Sequence, residues 1–416
     1  MDLHLTAEQT EFRETVRDFV AREIKPIVQH PDRLQDFARK LPLELVDQAA
    51  QMGMRTLALS EEAGGAGADH LTCCVVMEEL GAGDPDIAAT LAQTSMLSHI
   101  LFDRMMTPAQ RGRFLPRFVA EDRHHLAFVL GNGNGEVQWG YHRPREAPGG
   151  EMTAVRHGDE WVVSGIADFV ANAPIAELFA VQVKTDQAGP GAGVLLVPRA
   201  APGLTVDEMN GGAGTSEEAP MMGWRHGTGG KVVLGDCRVP LDHLLGAQAQ
   251  SPLTRDAALI PGGMLQSAAI NLGIGRAAFE AAVDYAKLRK QGGRQIIEHQ
   301  AIGTKMADMA IKLEAARNMI WKAAWAADHP DAGADLSLPG VPLQVMAKIF
   351  VSEVVHEVTE DAAECFGAMG VMLDLPLAKH VHDALVFVHS GVSNSVAKFR
   401  IAEAVAGYRQ PAPAGA

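Results

Sequence analysis

The chain is poor in cysteine. Its four cysteines, Cys73, Cys74, Cys237 and Cys365, are scattered over 416 residues without C-x-x-C spacing. That excludes both a disulfide framework and a zinc site as organising features. No apolar run reaches membrane-spanning length, so no membrane partner is expected. The first residues, MDLHLTAEQTEF, lack a basic stretch followed by an apolar one; no secretory signal is read there, and a cytoplasmic location is expected. Positive charge is also in deficit. The formal net charge is -15, which argues against nucleic acid as a partner, because such binding needs basic faces. What remains is a composition of 47% hydrophobic and 21% charged residues, which places the chain among folded globular proteins. Its length allows two or three domains with a substantial core.

Residues 1–125 read as helical. Thr6, followed by Glu8 and Gln9, resembles a helix start, and Phe12, Val16, Phe19 and Val20 form an apolar stripe behind it. Leu43 to Met54 and Leu71 to Leu80 are further helical runs, interrupted by Gly64, Gly65 and Gly67 and by Asp84-Pro85. From 126 to 250 the pattern changes to short β-type runs: Ala127 to Leu130, Thr153 to Val155, Trp161 to Val163, Leu178 to Val183, Gly193 to Val197 and Lys231 to Leu234. Six short strands without helices between them predict a small antiparallel barrel or sandwich. Long helical patterns return over 251–408, and the tail 409–416, ending in PAPAGA, is expected to fray. The fold class is therefore α+β, multidomain.

The stretch from Tyr285 to Met309 joins two of the long helical patterns. Behind it, Ile302, Met306, Met309, Leu313, Ala316, Ile320 and Ala324 recur at spacings of three and four, one apolar helical face. The junction carries Arg289, Lys290 and Arg294 around Gly292 and Gly293. Clustered positive charge on a flexible turn suits a phosphate, or is simply solvated.

This junction resembles the R-x-x-F-G…Q…L-A-D-M segment of acyl-CoA dehydrogenases. The segments LTAEQTEFRETVRDFV, MGMRTLALSEEAGGAGAD, MEELGAGDPDIA and TPAQRGRFLPRFVAED resemble the N-terminal domain of the same family. MMGWRHGTGGKVVLGDCRVPLDHLLG resembles its M-G-x-R-x-S-x-T…V-P…L-L-G. The resemblance covers nearly the whole chain. It implies an N-terminal helical domain (1–125), a central β domain (126–250) and a C-terminal four-helix bundle (251–408). It also implies FAD as cofactor in a site shared between subunits, an acyl-CoA or related small molecule as substrate, and a homodimer or homotetramer.

In that family a carboxylate takes the α-proton of the thioester while the β-hydride moves to the flavin, so the base must stand within hydrogen-bond reach of the α-carbon. The usual glutamate of the C-terminal E-G-T motif falls on Gly391, with Ser393 at the threonine, or on Ser390 if one gap is allowed. The alternative seat, ten residues before Gly273, is Gly263. Both seats lack a base. The helix after Asp84-Pro85 offers Thr94, Ser95 and His99, of which His99 is the candidate base; its plain alternative is a histidine satisfied by a backbone carbonyl. Asp374 is read as starting the helix ahead of Pro376, and Glu78 and Glu79 as architectural. His380 and His382 point apart on a helix, so no metal site is expected.

By the same resemblance Arg289 reaches the FAD pyrophosphate, Gln291 and Gln300 make polar contacts to it, and Ser393 keeps a hydroxyl near it. Ser395 and Gly367 are carried over as cofactor-binding positions too. Gly133 and Gly135 match a glycine loop where backbone approaches the flavin, the plain alternative being a strand-connecting turn. Departures accompany these. Phe169 and Ala171 stand in the family's W-I-T/S-N-A, Leu130 replaces a threonine, Glu136 a serine, Gly292 an aromatic, Met264 an arginine, and Glu364 a glutamine that reaches the neighbouring subunit's FAD. The segment QWGYHRPREAPGG (138–150) has no counterpart in relatives. It is read either as a cover or CoA-phosphate contact, or as a solvated excursion. Three functions are compatible with this pattern. The first is α,β-dehydrogenation of an acyl-CoA with a non-standard base. The second is a flavoenzyme of the same fold with other chemistry, a CoA-thioester desulfinase or a flavin monooxygenase. The third is a catalytically degenerate subunit of a hetero-oligomer.

Overall fold

The computed structural model describes residues 4–36, 40–130, 152–185, 192–208, 222–225, 227–245, 263–329, 343–390 and 393–407. Gly133, Gly135, Glu136, Gly391, the segment 138–150 and the tail 409–416 lie outside the described residues.

The order is helix, strand, helix. Helices α1 (Ala7–Phe19), α2 (Leu43–Gln51), α3 (His70–Gly83), α4 (Pro85–Ser98) and α5 (Pro108–Ala120) come first. Their starts follow the capping signals. Thr6 and Gln9 form a reciprocal capping box on α1, as do Thr107 and Gln110 on α5. Asp69 caps α3 and Asp84 caps α4. Beyond α4 the chain continues as a π-helical turn, His99–Met105.

Strands β1 (His125–Val129), β2 (Thr153–His157), β3 (Glu160–Ala171), β4 (Ala176–Thr185), β5 (Ala192–Pro198), β6 (Leu204–Glu208) and β7 (Gly229–Pro240) form one sheet. The order is β1-β4-β2-β3-β7-β6, with β5 also on β4. The expected antiparallel pairing holds for β2–β3, β3–β7, β6–β7 and β4–β5, but β1 and β2 run parallel to β4, so the sheet is mixed. Strand β6 escaped the sequence reading because its residues are half-buried or exposed and give no apolar run.

Helices α6 (Gly263–Leu288), α7 (Gln300–Asp328), α8 (Leu343–Cys365), α9 (Pro376–His389) and α10 (Asn394–Val405) follow. Between α6 and α7 the basic junction is a β-hairpin, β8 (Lys290–Gln291) with β9 (Arg294–Gln295). Gly292 (φ 62) and Gly293 (φ 80) both occupy the left-handed region that a tight two-residue hairpin turn requires. Asp374 does not begin α9. Leu375 holds the N-cap position and Pro376 the first turn, where proline's missing N–H costs nothing.

The first and last helical regions bury a single core. Leu80, Ile87 and Leu91 from the first share it with Leu272, Ile274, Leu313 and Val355 from the last. A β-domain core centred on Val163, Phe179 and Val232 is separate, and Phe102, Phe118, Leu126 and Leu178 join sheet to helices. Helices α3 and α6 approach so closely that a Cβ on Gly273 would stand 2.3 Å from the Glu78 carbonyl oxygen, and one on Gly81 would stand 2.3 Å from that of Ile270. Glu78 and Glu79 lie at this crossing. Arg17 and Arg276 bind Glu79 at 2.7 and 2.6 Å, and Arg317 binds Glu78 at 2.8 Å. Burial alone would raise the Glu79 pKa, but the Arg17 and Arg276 contacts outweigh it and hold the carboxyl below its usual range. Among the described residues no helix is long and apolar enough to cross a membrane.

Gly273→Ala should lower stability by about 1–3 kcal/mol, because neither backbone can retreat from the added methyl. The urea unfolding midpoint reads this directly, and an unchanged midpoint would mean the crossing relaxes.

Candidate active site

A cavity of about 500 Å³ opens where α4, the end of β3, residues 222–225 and 227–229 and the end of α9 converge. Each wall is fixed by a distinct local device. Asp84 Oδ1 accepts the backbone N–H groups of Asp86 and Ile87 at 3.0 Å, which anchors the first turn of α4 and places Asp86, Ala89 and Thr90 on the cavity. Asn172 follows β3 with φ 63. Its amide donates to the Thr90 carbonyl (2.9 Å) and its Oδ1 accepts from the Thr228 hydroxyl (3.1 Å). One side chain thus ties α4, β3 and β7 together, and the hydrogen bonds stabilise a backbone conformation uncommon outside glycine.

The fourth wall is set by buried charge. Lys379 and Asp383, one turn apart on α9, are ion-paired, and Lys379 Nζ lies 3.4 Å from Asp84 Oδ2. Burial works against the ammonium, yet Asp383, Asp84 and Asp86 together hold the Lys379 pKa above its ordinary value. Asp383 also accepts the Trp224 N–H at 2.8 Å, and the Trp224 ring packs edge-on against Phe387 at 4.7 Å. A Cβ on Gly223 would stand 2.3 Å from the His382 carbonyl oxygen, so the segment 222–225 lies flat on α9. The end of α9 then presents Leu385, Val386, His389 and Ser390 to the cavity.

This arrangement brings together some of the positions singled out from sequence and leaves others elsewhere. Phe169, Ala171 and Ser390 share the cavity. Leu130, at the end of the β1 segment, is half-buried and is not on it. Gly263 and Met264 open α6, with Met264 packed on Val345 and Ile349. Arg289 and Gln291 are exposed on the hairpin, and Gln300 is exposed at the start of α7. Glu364 pairs with Lys305 at 2.8 Å, and Gly367 takes φ 58 after α8. Ser393 is the N-cap residue of α10, and Ser395 is exposed in its first turn. His99 does not reach this cavity. Its Nδ1 is bonded to Asp103 at 2.9 Å, its Nε2 accepts from Arg104 at 3.0 Å, and it lines a second, smaller cavity. Asp86 and His389 are the ionisable residues that sequence reasoning passed over. For His389 a signal existed: it stands two residues before the expected glutamate seat.

Family models for the acyl-CoA dehydrogenase N-terminal domain and C-terminal domain match residues 6–122 and 262–406. The bovine mitochondrial short-chain specific acyl-CoA dehydrogenase is 30% identical over 92% of this chain and 86% of its own length. The chain belongs to the acyl-CoA dehydrogenase family. The mitochondrial isobutyryl-CoA dehydrogenase of Dictyostelium discoideum is 29% identical over 95% of the chain and 88% of its own. The butyryl-CoA dehydrogenase structure from Megasphaera elsdenii superposes with a TM-score of 0.81 at 27% identity, covering 98% of this chain and all of that one. Members of this family are flavoenzyme oxidoreductases, and this chain is an oxidoreductase of that kind.

Three buried histidines near these walls are held neutral. Burial lowers His125, whose Nδ1 lies 3.1 Å from the Thr94 hydroxyl, and the adjacent His124 to about 4. Burial, with Lys379 next in the chain, lowers His380 to about 3. In the unfolded chain each would protonate near pH ~6.5, so the stability they contribute is complete above that pH and is lost as pH falls toward 4. The urea midpoint should therefore drop between pH 6.5 and 4, and His125→Gln should flatten that slope.

Proposed function

We propose that this chain removes the α-proton and β-hydride of an acyl-CoA thioester with FAD as acceptor, and that His389 takes the α-proton in place of a glutamate. The observation that carries this reading is the convergence of Phe169, Ala171, His389 and Ser390 on one cavity. Positions matched to flavin contact and the end of α9 next to the missing base are thereby brought face to face.

The cavity suits the flavin ring. Phe169 is 47% exposed, and a Cβ on Gly229 would come 2.3 Å from its ring. The ring thus lies directly on glycine backbone and offers a flat apolar platform. FAD, when bound there, supplies the two-electron acceptor for the β-hydrogen. Arg289, Gln291 and Gln300 are exposed away from this cavity, and in this reading they meet the pyrophosphate of a neighbouring copy in a homo-oligomer, as guanidinium and amide donors can.

Two ionisable side chains stand on the cavity among its described residues. Asp86 is 1% exposed in the first turn of α4 and sits in the field of the Lys379 ammonium. That interaction engages its carboxylate as a structural charge. His389 is exposed on the last turn of α9, and its imidazole carries a ring nitrogen able to take up a proton. Thr90, Asn172 and Thr228 form the polar side of the same cavity, and the rest of it is mainly apolar.

Purified protein should carry about one flavin per chain, and an acyl-CoA thioester should bleach its absorbance. Absence of flavin after incubation with excess FAD would sink the proposal. His389→Gln should retain flavin and slow bleaching by about 10²-fold or more. Bleaching at the wild-type rate would exclude His389 as the base.

A further inference from the structure

We propose that the threonine pair on the polar side of the active-site cavity, Thr90 and Thr228, presents lone pairs only. It thereby selects an acyl-CoA whose acyl group carries a hydrogen-bond donor, a hydroxyl or an ammonium. This specificity rests on the acyl-CoA reading above and names the substrate class within it.

Asn172 sets the direction of the protons on this side. Its Nδ2 faces three oxygens: the Thr90 carbonyl at 2.9 Å, the Thr94 hydroxyl at 3.3 Å and the Leu126 carbonyl at 3.5 Å. A carbonyl oxygen only accepts, so the NH2 group belongs there and the amide is not free to turn over. Oδ1 then faces Thr228, whose hydroxyl has to donate to it, at 3.1 Å. The Thr90 hydroxyl is committed in the same way, to the Asp86 carbonyl at 2.9 Å. A hydroxyl has one proton, so both are spent.

The two hydroxyl oxygens nevertheless lie 3.4 Å apart. No proton remains to stand between them, and lone pairs face each other across the gap. Both residues line the cavity, and Thr228 is only half-buried. An N–H or O–H entering from the cavity satisfies this pair of acceptors, whereas a carbonyl or carboxylate oxygen is repelled. Asp86 on the same side is balanced by Lys379, so the threonine oxygens decide which group is accepted.

The same polarity orients the substrate. Loss of the α-proton puts negative charge on the thioester oxygen, and two oxygens without a proton to give cannot stabilise it. The thioester therefore lies toward Ser390 at the end of α9, whose hydroxyl is able to donate. The acyl group is left to face Thr90 and Thr228.

The test measures equilibrium binding of four thioesters to the flavin-loaded protein, chemically reduced under nitrogen so that hydride transfer does not intervene. β-Alanyl-CoA, 3-hydroxypropionyl-CoA, butyryl-CoA and succinyl-CoA place an ammonium, a hydroxyl, a methyl and a carboxylate on the same carbon. The first two are expected to bind more tightly than butyryl-CoA, and succinyl-CoA least well. Thr228→Val should cut the hydroxyl-over-methyl preference about fivefold, and Thr228→Ser should retain it. Should Thr228→Val not fold, Thr90→Val removes the other oxygen and is read in the same way. Equal binding of the four thioesters, tighter binding of butyryl-CoA than of the donor-bearing pair, or a preference that survives both valine variants would overturn this proposal alone. If none of the four binds, the acyl-CoA reading falls and the specificity with it.

Discussion

The structure depends on the close crossing of α3 and α6. Gly81 and Gly273 let the two backbones touch, and the carboxylates of Glu78 and Glu79 sit at that crossing beside Arg17, Arg276 and Arg317. Buried carboxylates are costly unless fully paired. Pairing them with arginines from α1, α6 and α7 makes the cost acceptable only when all four helices are in place. The first and last helical regions are thereby locked into one core, and α4, which follows α3 after the single residue Asp84, is carried into position over the end of β3.

The active-site cavity inherits its shape from that placement. Asp84 serves twice, capping α4 through Oδ1 and facing Lys379 through Oδ2. The Lys379–Asp383 pair then fixes α9, and Asp383 fixes the backbone at Trp224. Each ion in this chain of contacts is compensated by the next, so removing one leaves a buried charge that the low-dielectric interior cannot screen. His389 owes its place on the cavity to this network, since it extends the helix the network holds.

Much of the architecture was legible along the chain. Helix starts at Thr6 and Asp84, the shift from helical to strand patterning near residue 126, and the turn at Gly292-Gly293 are local signals, written in capping residues, alternation and glycine. The parallel pairing of β1 with β4 was not legible, because register between strands distant in sequence leaves no local trace. Strand β6 was hidden for a different reason: with little burial it needs no apolar pattern. The flavin-matching positions Phe169 and Ala171 were found by motif and do share a wall. His99 was also found by its helix, yet its side chain turns to Asp103 on the π-helical continuation, a rotation that no linear pattern encodes.

The sequence by itself determined the family, the order of helix and strand, and the glycines at Gly263 and Gly391, since these depend only on which residues follow one another. Only the tertiary structure decided which side chains face a common space. It set His389 beside Ser390 on the active-site cavity and moved His99 to another. The reason is physical. Secondary structure and capping act over a few residues, whereas burial, charge compensation and cavity shape arise from elements that lie hundreds of residues apart and meet only when the chain is folded.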